Sequence, residues 1–309
     1  MPVSKKSSPP ENASRHLPQE ATARIRRLEL VARRTVEGVM SGMHRSPYFG
    51  QSVEFLQHRQ YTVGDDLRHI DWKVWGRQDR LHIKQYEEET TLRLHLLVDS
   101  SASMNYGEGE ANKYLYAASL AACLAYLAVR QQDSIGLYTF AARVVQALPA
   151  RMGRLQLSRL LAVLDGTTED RETDLSKVVR EVAPTIPRRG VVAIASDLLG
   201  TTNLLDALQM LRQRGHDVIM IHVLHRDELE FPFTGATRFE GLEGAEFLNC
   251  NPRALRDGYL EAVQQFLEQT RRLCGRLSIE YFQAVTDQPL DATLAKFLTL
   301  RSGLPRLRS

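Results

Sequence analysis

An aspartate and two serines stand at alternate positions directly after a short apolar run. The residues are Asp99, Ser101 and Ser103, and the run at 92–98 has the length and composition of a buried strand. One carboxylate and two hydroxyls form an all-oxygen donor set, which suits a hard divalent cation such as Mg²⁺. Aspartate and serine are also common in turns and at helix N-caps, so this spacing is compatible with an ordinary loop as well.

A second apolar run ends at Asp197 in the same way. Because the carboxyl ends of parallel strands lie along one edge of a sheet, we expect Asp99 and Asp197 on the same edge. A threonine at a helix start after a polar loop can reach that edge; Thr173 is our choice, and Thr167 and Thr168 are alternatives. Water and a group from outside would complete a site for Mg²⁺, or for Mn²⁺ or Ca²⁺. The predicted metal ligands are Asp99, Ser101, Ser103, Thr173 and Asp197.

Strands alternate with helices from residue 91 to the end of the chain. This order predicts an α/β fold with a doubly wound, mostly parallel sheet flanked by helices. The segment 144–148 is expected at an edge of the sheet because Pro149 follows it, and 231–251 is expected to hold a β-hairpin insertion. The other predicted strands are 92–99, 135–140, 190–197, 218–224 and 277–285, and the predicted helices are 111–131, 153–164, 204–214, 254–273, 290–300 and one that starts at Thr173.

The residues before the sheet divide into a tail (1–17) and a second region (18–90). The tail is polar and lacks the apolar core of a secretory signal, so we expect it to be disordered. Residues 18–43 have apolar side chains at three- and four-residue steps, which predicts an amphipathic helix. The arginines of this helix form either a solvated face or a docking surface for an acidic partner.

Residues 59–80 are dense in arginine, aspartate and aromatic side chains around a Gly-Asp turn. Forked arginine–carboxylate pairs would make this segment a rigid polar cap, and an acid/base cluster is the alternative. The charged members of the network are Arg59, Arg68, Arg77 and Arg80 with Glu54, Asp65, Asp66 and Asp71, and the segment also contains Trp72 and Trp75.

Composition excludes several classes of protein. The chain has 309 residues, of which 43% are hydrophobic and 25% charged, as in ordinary globular proteins. No apolar run approaches the roughly 18 residues of a membrane span. A formal net charge of +3 is too small for a nucleic-acid-binding surface. The three cysteines, Cys123, Cys250 and Cys274, lack metal-type spacing, which favours a reducing cytoplasm.

The five predicted ligands resemble the metal-ion-dependent adhesion site of von Willebrand factor A domains. Asp99-x-Ser101-x-Ser103 is similar to the first motif of that site, Thr173 to its threonine and Asp197 to its second aspartate. The resemblance runs from Leu92 to the end and implies a von Willebrand factor A-like, Rossmann-type fold. Many members have glycine where Leu198 follows Asp197 here, so Asp197 could contact the ion directly or through water.

The earlier residues resemble a bacterial family called domain of unknown function 58. The resemblance is carried by Arg59-x-Tyr61-x-x-Gly64-Asp65-Asp66-x-Arg68-x-Ile70-Asp71-Trp72, by Ser52-Val53-Glu54-Phe55 before it and by Glu87-Glu88-Glu89 after it. Such proteins are commonly encoded beside a MoxR-type AAA+ ATPase. The resemblance implies an adaptor or chaperone-like partner of that ATPase.

Three functions follow from these features. A non-enzymatic, metal-dependent interaction domain would use the metal to bind a carboxylate of a partner protein, and this is the function we expect. A metal-dependent hydrolase of the phosphatase kind is an alternative, although it would need a second carboxylate where Ser101 stands. No Gly-x-Ser-x-Gly or ATP-binding glycine loop is present. The third possibility is a scaffold with a vestigial site.

Overall fold

The computed structural model describes residues 19–43, 57–60, 82–85, 92–166, 172–187, 189–200, 203–235, 237–241 and 247–302. The predictions for the tail 1–17, for residues 61–80 of the cap and for Thr167 and Thr168 fall outside these residues.

The described residues alternate between strands and helices from residue 93 onward, as predicted. The strands are β1 (Gln57–Gln60), β2 (His82–Gln85), β3 (Arg93–Asp99), β4 (Ser134–Phe140), β5 (Val144–Arg151), β6 (Gly190–Ser196), β7 (His216–Leu224), β8 (Thr237–Glu240), β9 (Phe247–Cys250) and β10 (Glu280–Val285). The helices are α1 (Gln19–Met43), α2 (Lys113–Arg130), α3 (Arg154–Leu164), α4 (Leu175–Val182), α5 (Leu204–Gln213), α6 (Arg226–Glu230), α7 (Pro252–Arg276) and α8 (Leu290–Ser302).

Six strands form one mixed, mostly parallel sheet in the order β10-β7-β6-β3-β4-β5. Only the edge strand β5 is antiparallel to its neighbour among these six strands. The predicted α/β fold with a mostly parallel sheet is confirmed. The predicted end of the edge strand at residue 148 is wrong, because β5 continues through Pro149 to Arg151. An edge strand tolerates proline because one side of it forms no ladder hydrogen bonds.

The strand order places β3 beside β6, so that two parts of the chain distant in sequence meet at the centre of the sheet. Val98 of β3 pairs with Ala195 of β6 in parallel register. From β3 the chain proceeds outward through β4 and β5 on one side, and through β6, β7 and β10 on the other. In open α/β sheets such a change of direction opens a crevice at the carboxyl ends of the strands. Asp99 ends β3 and Asp197 follows β6 directly, so both lie at the carboxyl ends of these two strands, where such a crevice is expected.

Helices cover both faces of the sheet. Leu94, Leu96 and Val98 of β3 face one apolar cluster, which also contains residues of α1, α2, α3 and α8. Leu97 faces the opposite cluster, with residues of α4, α5 and α7. The alternation along β3 explains its uninterrupted apolar sequence, since a strand buried on both faces has no solvent side.

Helix α1 packs on the same core as the sheet. Ala32, Val36 and Val39 are buried in the first cluster, as their helical spacing predicted. Two arginines of the exposed face contact other elements: Arg24 Nε lies 3.1 Å from Asp165 Oδ1, and an Arg27 amino nitrogen lies 3.5 Å from Glu110 Oε1. Part of the arginine-rich face therefore contacts other elements of the fold, although ion pairs this exposed contribute little to stability.

Two short pairs of antiparallel strands accompany the main sheet. One pairs β1 with β2, and the other pairs β8 with β9 within the segment 231–251, where the insertion was predicted. Among the described residues, no helix combines the length and the apolar composition that crossing a membrane requires.

A buried histidine lies on β3 away from the crevice. The His95 side chain is 1% exposed, and neither ring nitrogen has a hydrogen-bond partner among the described residues. Burial lowers the pKa of His95 to about 4, and the neighbouring His216 and Arg93 act in the same direction. The imidazole is therefore neutral in the folded protein at neutral pH.

His95 predicts a loss of stability in acid. Between pH 6.5 and about 4, the unfolded chain binds a proton at this histidine and the folded chain does not. The free energy of unfolding that the neutral His95 ring contributes is therefore fully present above pH 6.5. It is lost as the pH falls toward 4, by up to about 3 kcal/mol. Denaturation of His95→Leu across this pH range should show a shallower pH dependence than the wild type. An unchanged slope would contradict the assignment.

Candidate metal centre

Asp99 is the centre of the site at the end of β3. Its carboxylate is fully buried, with 0% exposure. It accepts hydrogen bonds from the Ser101 backbone N–H (3.0 Å) and the Ser196 hydroxyl (2.6 Å), and a longer one from the Thr173 hydroxyl (3.3 Å to each oxygen). Burial and the negative charge of Asp197 raise the pKa of Asp99 to about 7, against the effect of these hydrogen bonds. Among the described residues, no cationic side chain pairs with Asp99.

The two serines of the motif lie next to each other, beside Asp99. Ser101 precedes a short 3₁₀ helix, Ala102–Asn105, which turns the chain so that Ser101 and Ser103 come close. Their hydroxyl oxygens are 3.1 Å apart, and both side chains are buried. The intervening position does not contribute in the same way, because the Ser100 hydroxyl donates to the Phe140 carbonyl of the neighbouring strand.

Thr173 reaches Asp99 because the start of α4 is fixed on both sides. The Asp174 side chain accepts from the Lys177 N–H and caps the helix, and the Asp174 N–H donates to the Ala141 carbonyl after β4. The helix thus begins at Leu175, two residues later than predicted, and Thr173 precedes its cap. The cap holds Thr173 on the crevice side.

Asp197 lies one residue beyond β6 and is paired with a lysine. Lys113 Nζ is 2.7 Å from Asp197 Oδ2, and both side chains are at most 1% exposed. The other oxygen of Asp197 accepts from the Leu199 N–H at 3.1 Å. Burial by itself would lower the pKa of Lys113, but the adjacent carboxylates of Asp197 and Glu228 raise it above its usual value. Lys113 is therefore a buried cation within the site.

Glu228 of α6 is the second partner of this lysine. Its Oε1 lies 2.7 Å from Lys113 Nζ, and its Oε2 accepts from the His225 N–H at 2.7 Å. The latter bond belongs to a capping box at the start of α6, in which His225 takes the reciprocal role. The position of Glu228 is thus set by the helix cap.

His222 hydrogen-bonds to the backbone of Asp197. Its Nε2 lies 2.9 Å from the Asp197 carbonyl oxygen, which can only accept, so Nε2 carries the proton. Its Nδ1 then accepts from the Tyr281 hydroxyl at 2.7 Å. Burial lowers the pKa of His222 to about 4, which keeps the ring neutral. Both nitrogens are occupied, as expected for a structural histidine.

The donor set fits a hard divalent cation. Ligands of Mg²⁺ lie 2.0–2.1 Å from the ion, so neighbouring oxygens of an octahedron are about 3.0 Å apart. The separations of 3.1 Å between Ser101 and Ser103 and of 3.3 Å between Thr173 and Asp99 are close to this value. In the part of the chain that the structure describes, no three His, Cys, Asp or Glu side chains are grouped to hold a metal. The candidate centre instead combines two carboxylates with hydroxyls.

Leu198 has a backbone conformation that favours glycine. Its φ is +61°, in the left-handed region, while its side chain is 2% exposed in the apolar cluster under α4 and α5. The Leu198 N–H donates to the Ser196 hydroxyl at 3.0 Å, so the turn also orients the hydroxyl that contacts Asp99. Burial of the leucine side chain offsets about 1–2 kcal/mol of backbone strain at this position.

Substitution of Leu198 separates these two effects. Leu198→Ala should lower the free energy of unfolding by about 2–4 kcal/mol, since packing is lost and the strain remains. Leu198→Gly should be no less stable than Leu198→Ala, because glycine relieves the strain. At Leu208, which is buried within α5, glycine should instead be about 1 kcal/mol worse than alanine. Equal penalties for glycine at both positions in urea denaturation would contradict the strain.

The residues that the sequence analysis missed are Ser196, Lys113 and Glu228. One signal for Lys113 was present, because it follows the N-cap Asn112 as the first residue of α2, where a positive charge opposes the helix dipole. Ser196 and Glu228 carried no local signal of this kind. Their roles depend on which strands and helices become neighbours.

Comparison with known proteins agrees with the second of the sequence resemblances. The family described as "Protein of unknown function DUF58" matches residues 57–269. The chain belongs to this family. Relatives include uncharacterized proteins of Mycobacterium bovis (Mb1516) and Mycobacterium tuberculosis (Rv1480), each 28% identical over 285 residues, which cover 90% of this chain and 89% of the relative.

Two solved structures are similar to parts of this chain. The conserved hypothetical protein BatB from Bacteroides thetaiotaomicron is 12% identical and covers 69% of this chain and 100% of its own, with a TM-score of 0.43. An aerotolerance-related membrane protein from Bacteroides fragilis is 15% identical and covers 68% of this chain and 97% of its own, with a TM-score of 0.45.

Proposed function

We propose that this chain is a non-enzymatic, metal-dependent protein-interaction domain with a von Willebrand factor A-like, Rossmann-type fold. Its metal-ion-dependent adhesion site would hold Mg²⁺, or Mn²⁺ or Ca²⁺, through five side chains at the carboxyl end of the sheet. When bound, the metal would supply an open coordination position for a carboxylate of a partner protein. The ligands are Asp99, Ser101, Ser103, Thr173 and Asp197.

One observation carries this proposal: Asp99 is a buried carboxylate without a counter-charge. It lies beside Asp197, whose charge is already balanced by Lys113, and no described residue balances Asp99. A buried charge without compensation is costly in free energy. A divalent cation held between Asp99 and the neighbouring hydroxyls would remove this cost. All five ligands are at most 4% exposed, so a partner carboxylate would have to reach a largely buried ion at the carboxyl end of the sheet.

The partner is proposed from the family resemblance. A MoxR-type AAA+ ATPase, together with a protein that presents an acidic side chain, would dock at the metal site on the carboxyl end of the sheet. The chain would then act as an adaptor in the cytoplasm. Nucleic acid is not expected as a partner, because the net charge is only +3. The arginines between Tyr61 and Arg80 are proposed either to frame the contact or to brace the carboxyl end of the sheet.

The arrangement of the nearby histidines supports a binding function over a hydrolytic one. A hydrolase at this edge would need a general base within reach of a metal-bound water. His222 donates one nitrogen to the Asp197 carbonyl and accepts with the other from Tyr281. His225 Nδ1 accepts from the Asp227 N–H in the cap of α6. Both rings are engaged in structural hydrogen bonds.

Calorimetric titration with Mg²⁺ and Mn²⁺ tests the proposal, with two adjacent serines as a matched pair. Ser101→Ala should weaken metal binding at least tenfold, because a ligand is lost. Ser100→Ala should leave it unchanged, since Ser100 is buried nearby but donates to Phe140. Binding of a MoxR-type AAA+ ATPase should require the metal. It should be weakened by Ser101→Ala and unchanged by Ser100→Ala. Absence of metal uptake by the wild type, with and without the ATPase, would refute the proposal.

A further inference from the structure

A buried lysine lies within the candidate metal centre and already occupies one of its carboxylates. Lys113 Nζ contacts Asp197 Oδ2 and Glu228 Oε1, both at 2.7 Å, and its side chain is 1% exposed. The lysine also stands at the first position of α2, where a positive charge opposes the helix dipole. The stability of α2 therefore does not explain its presence.

The charges of Lys113 and a divalent cation oppose each other at this site. A metal ion ligated by Asp197 would lie about 2.1 Å from one carboxylate oxygen, and therefore less than about 5 Å from Nζ when both hold the same oxygen. Repulsion between two cations over such a distance is strong inside a protein, where the effective dielectric constant is far below that of water. Both cations can be accommodated if Nζ moves away from Asp197. The second carboxylate, Glu228, already contacts Nζ at 2.7 Å and can retain it when the contact with Asp197 is lost.

We propose that Lys113 is an internal cation that competes with the divalent metal for Asp197, and that metal uptake shifts Lys113 Nζ onto Glu228. The inference rests on the proposed function and describes how the same site is regulated. Without metal, the lysine neutralises Asp197 and links the end of β6 to α6. With metal, the lysine pairs with Glu228 alone.

The change in pairing would act on helix α6, because α6 carries Glu228 and also contacts the loop of Ser101 and Ser103. Glu228 is fixed by its bond to the His225 N–H, and its backbone carbonyl accepts from the Tyr259 hydroxyl at 3.1 Å. Asp227 accepts from the Tyr106 hydroxyl at 3.0 Å. Tyr106 directly follows the 3₁₀ helix that carries Ser103. A change in the pairing of Glu228 thus acts on a helix that is tied to the serine loop.

An aromatic cluster connects α6 with the β8–β9 hairpin. Phe231, which ends α6, stacks on Phe239 of β8 with ring centroids 5.6 Å apart and packs on Tyr259 at 4.5 Å. Phe233 makes an edge contact with Phe239 at 5.1 Å. Through this cluster, a change in the pairing of Glu228 would reach the packing of β8.

Titration of Lys113→Met with Mn²⁺ and Mg²⁺ tests the competition. The variant should bind either metal at least tenfold more tightly than the wild type. Its melting temperature should fall in chelator, where Asp197 is left unpaired, and recover when metal is added. Lys296→Met is the control, since Lys296 is an exposed lysine of α8; it should match the wild type. Metal binding by the wild type with equal or weaker binding by Lys113→Met would overturn the inference.

Glu228→Gln tests the shift without removing the buried lysine. Glutamine retains an oxygen for the His225 N–H, so the cap of α6 is preserved. The variant should bind metal more weakly than the wild type, and this loss should disappear in the Lys113→Met background. Hydrogen exchange of residues 226–240 should change with metal in the wild type and not in Glu228→Gln. The same loss of affinity in both backgrounds, or a metal-insensitive wild-type hairpin, would overturn the shift.

The two proposals fail in different ways. If neither the wild type nor Lys113→Met binds metal, the metal-dependent function and the competition are both refuted. If the wild type binds and Lys113→Met is unchanged, the function stands and only the competition is refuted. Weak binding by the wild type together with tight binding by Lys113→Met would support both.

Discussion

Asp99→Asn is expected to make the protein more stable in chelator and to abolish its stabilisation by Mg²⁺. Above the raised pKa of about 7, the folded protein holds a buried carboxylate beside Asp197 without a cation of its own among the described residues. A neutral amide of the same shape removes this cost, and we expect a gain of about 1–2 kcal/mol. The wild type should gain about 2.7 kcal/mol when Mg²⁺ is present at a hundred times its dissociation constant, and the variant should gain none.

Urea denaturation of both proteins, with chelator and with Mg²⁺, measures this reversal of order. Ser100→Ala provides a control with a buried polar change next to the site, and it should keep the metal-dependent gain of the wild type. If Asp99→Asn were less stable than the wild type in chelator, the carboxylate would be needed as a hydrogen-bond acceptor for Ser101, Thr173 and Ser196. The charge argument for a metal would then lose its basis.

Val36→Asp is expected to unfold the protein or to lower its free energy of unfolding by more than about 4 kcal/mol. Val36 is 0% exposed in the cluster that joins α1 to the sheet. The substitution loses about 1.5–3 kcal/mol of apolar burial and also places a charge among apolar side chains. Leu30→Asp is the control on the same helix, because Leu30 is 45% exposed, and it should change stability by less than about 1 kcal/mol.

Thermal and urea denaturation of the two α1 variants decide whether this helix belongs to the folding unit. Helix α1 precedes the residues that match the family, which begin at residue 57. Its contacts nevertheless bury Ala32, Val36 and Val39 against the core of the sheet. Similar stabilities of the two variants would mean that α1 attaches only loosely. The division of the chain into regions at residue 90 stays a prediction until this is measured.

The sequence by itself determined the type and order of most elements. Helix α1 was predicted from apolar residues at three- and four-residue steps, and the buried strands β3 and β6 from short apolar runs. These patterns are local, because each follows from the periodicity of one element that must bury one or both faces. The motif from Asp99 to Ser103 was also visible, since its members come from one loop.

Ends of elements were less well determined. The edge strand β5 was expected to stop before Pro149, yet it continues to Arg151. Helix α4 begins after Asp174 because that side chain caps it, not at Thr173. In each case the local signal was correct in kind, but the tertiary surroundings decided the last residues. A free edge accommodated the proline, and a bond to Ala141 fixed the cap.

Only the tertiary structure decided how the charges of the site are balanced. Lys113 meets Asp197 and Glu228 across 84 and 115 residues of sequence, and Ser196 meets Asp99 across 97. Contacts of this range depend on β3 lying beside β6 and on α6 following β7, the next strand of the sheet, and no periodic pattern in one segment records such an arrangement. The sequence therefore predicted which oxygens could bind a metal. The fold determined that a lysine already shares one of the carboxylates, because burial forces charges from distant segments to pair with each other.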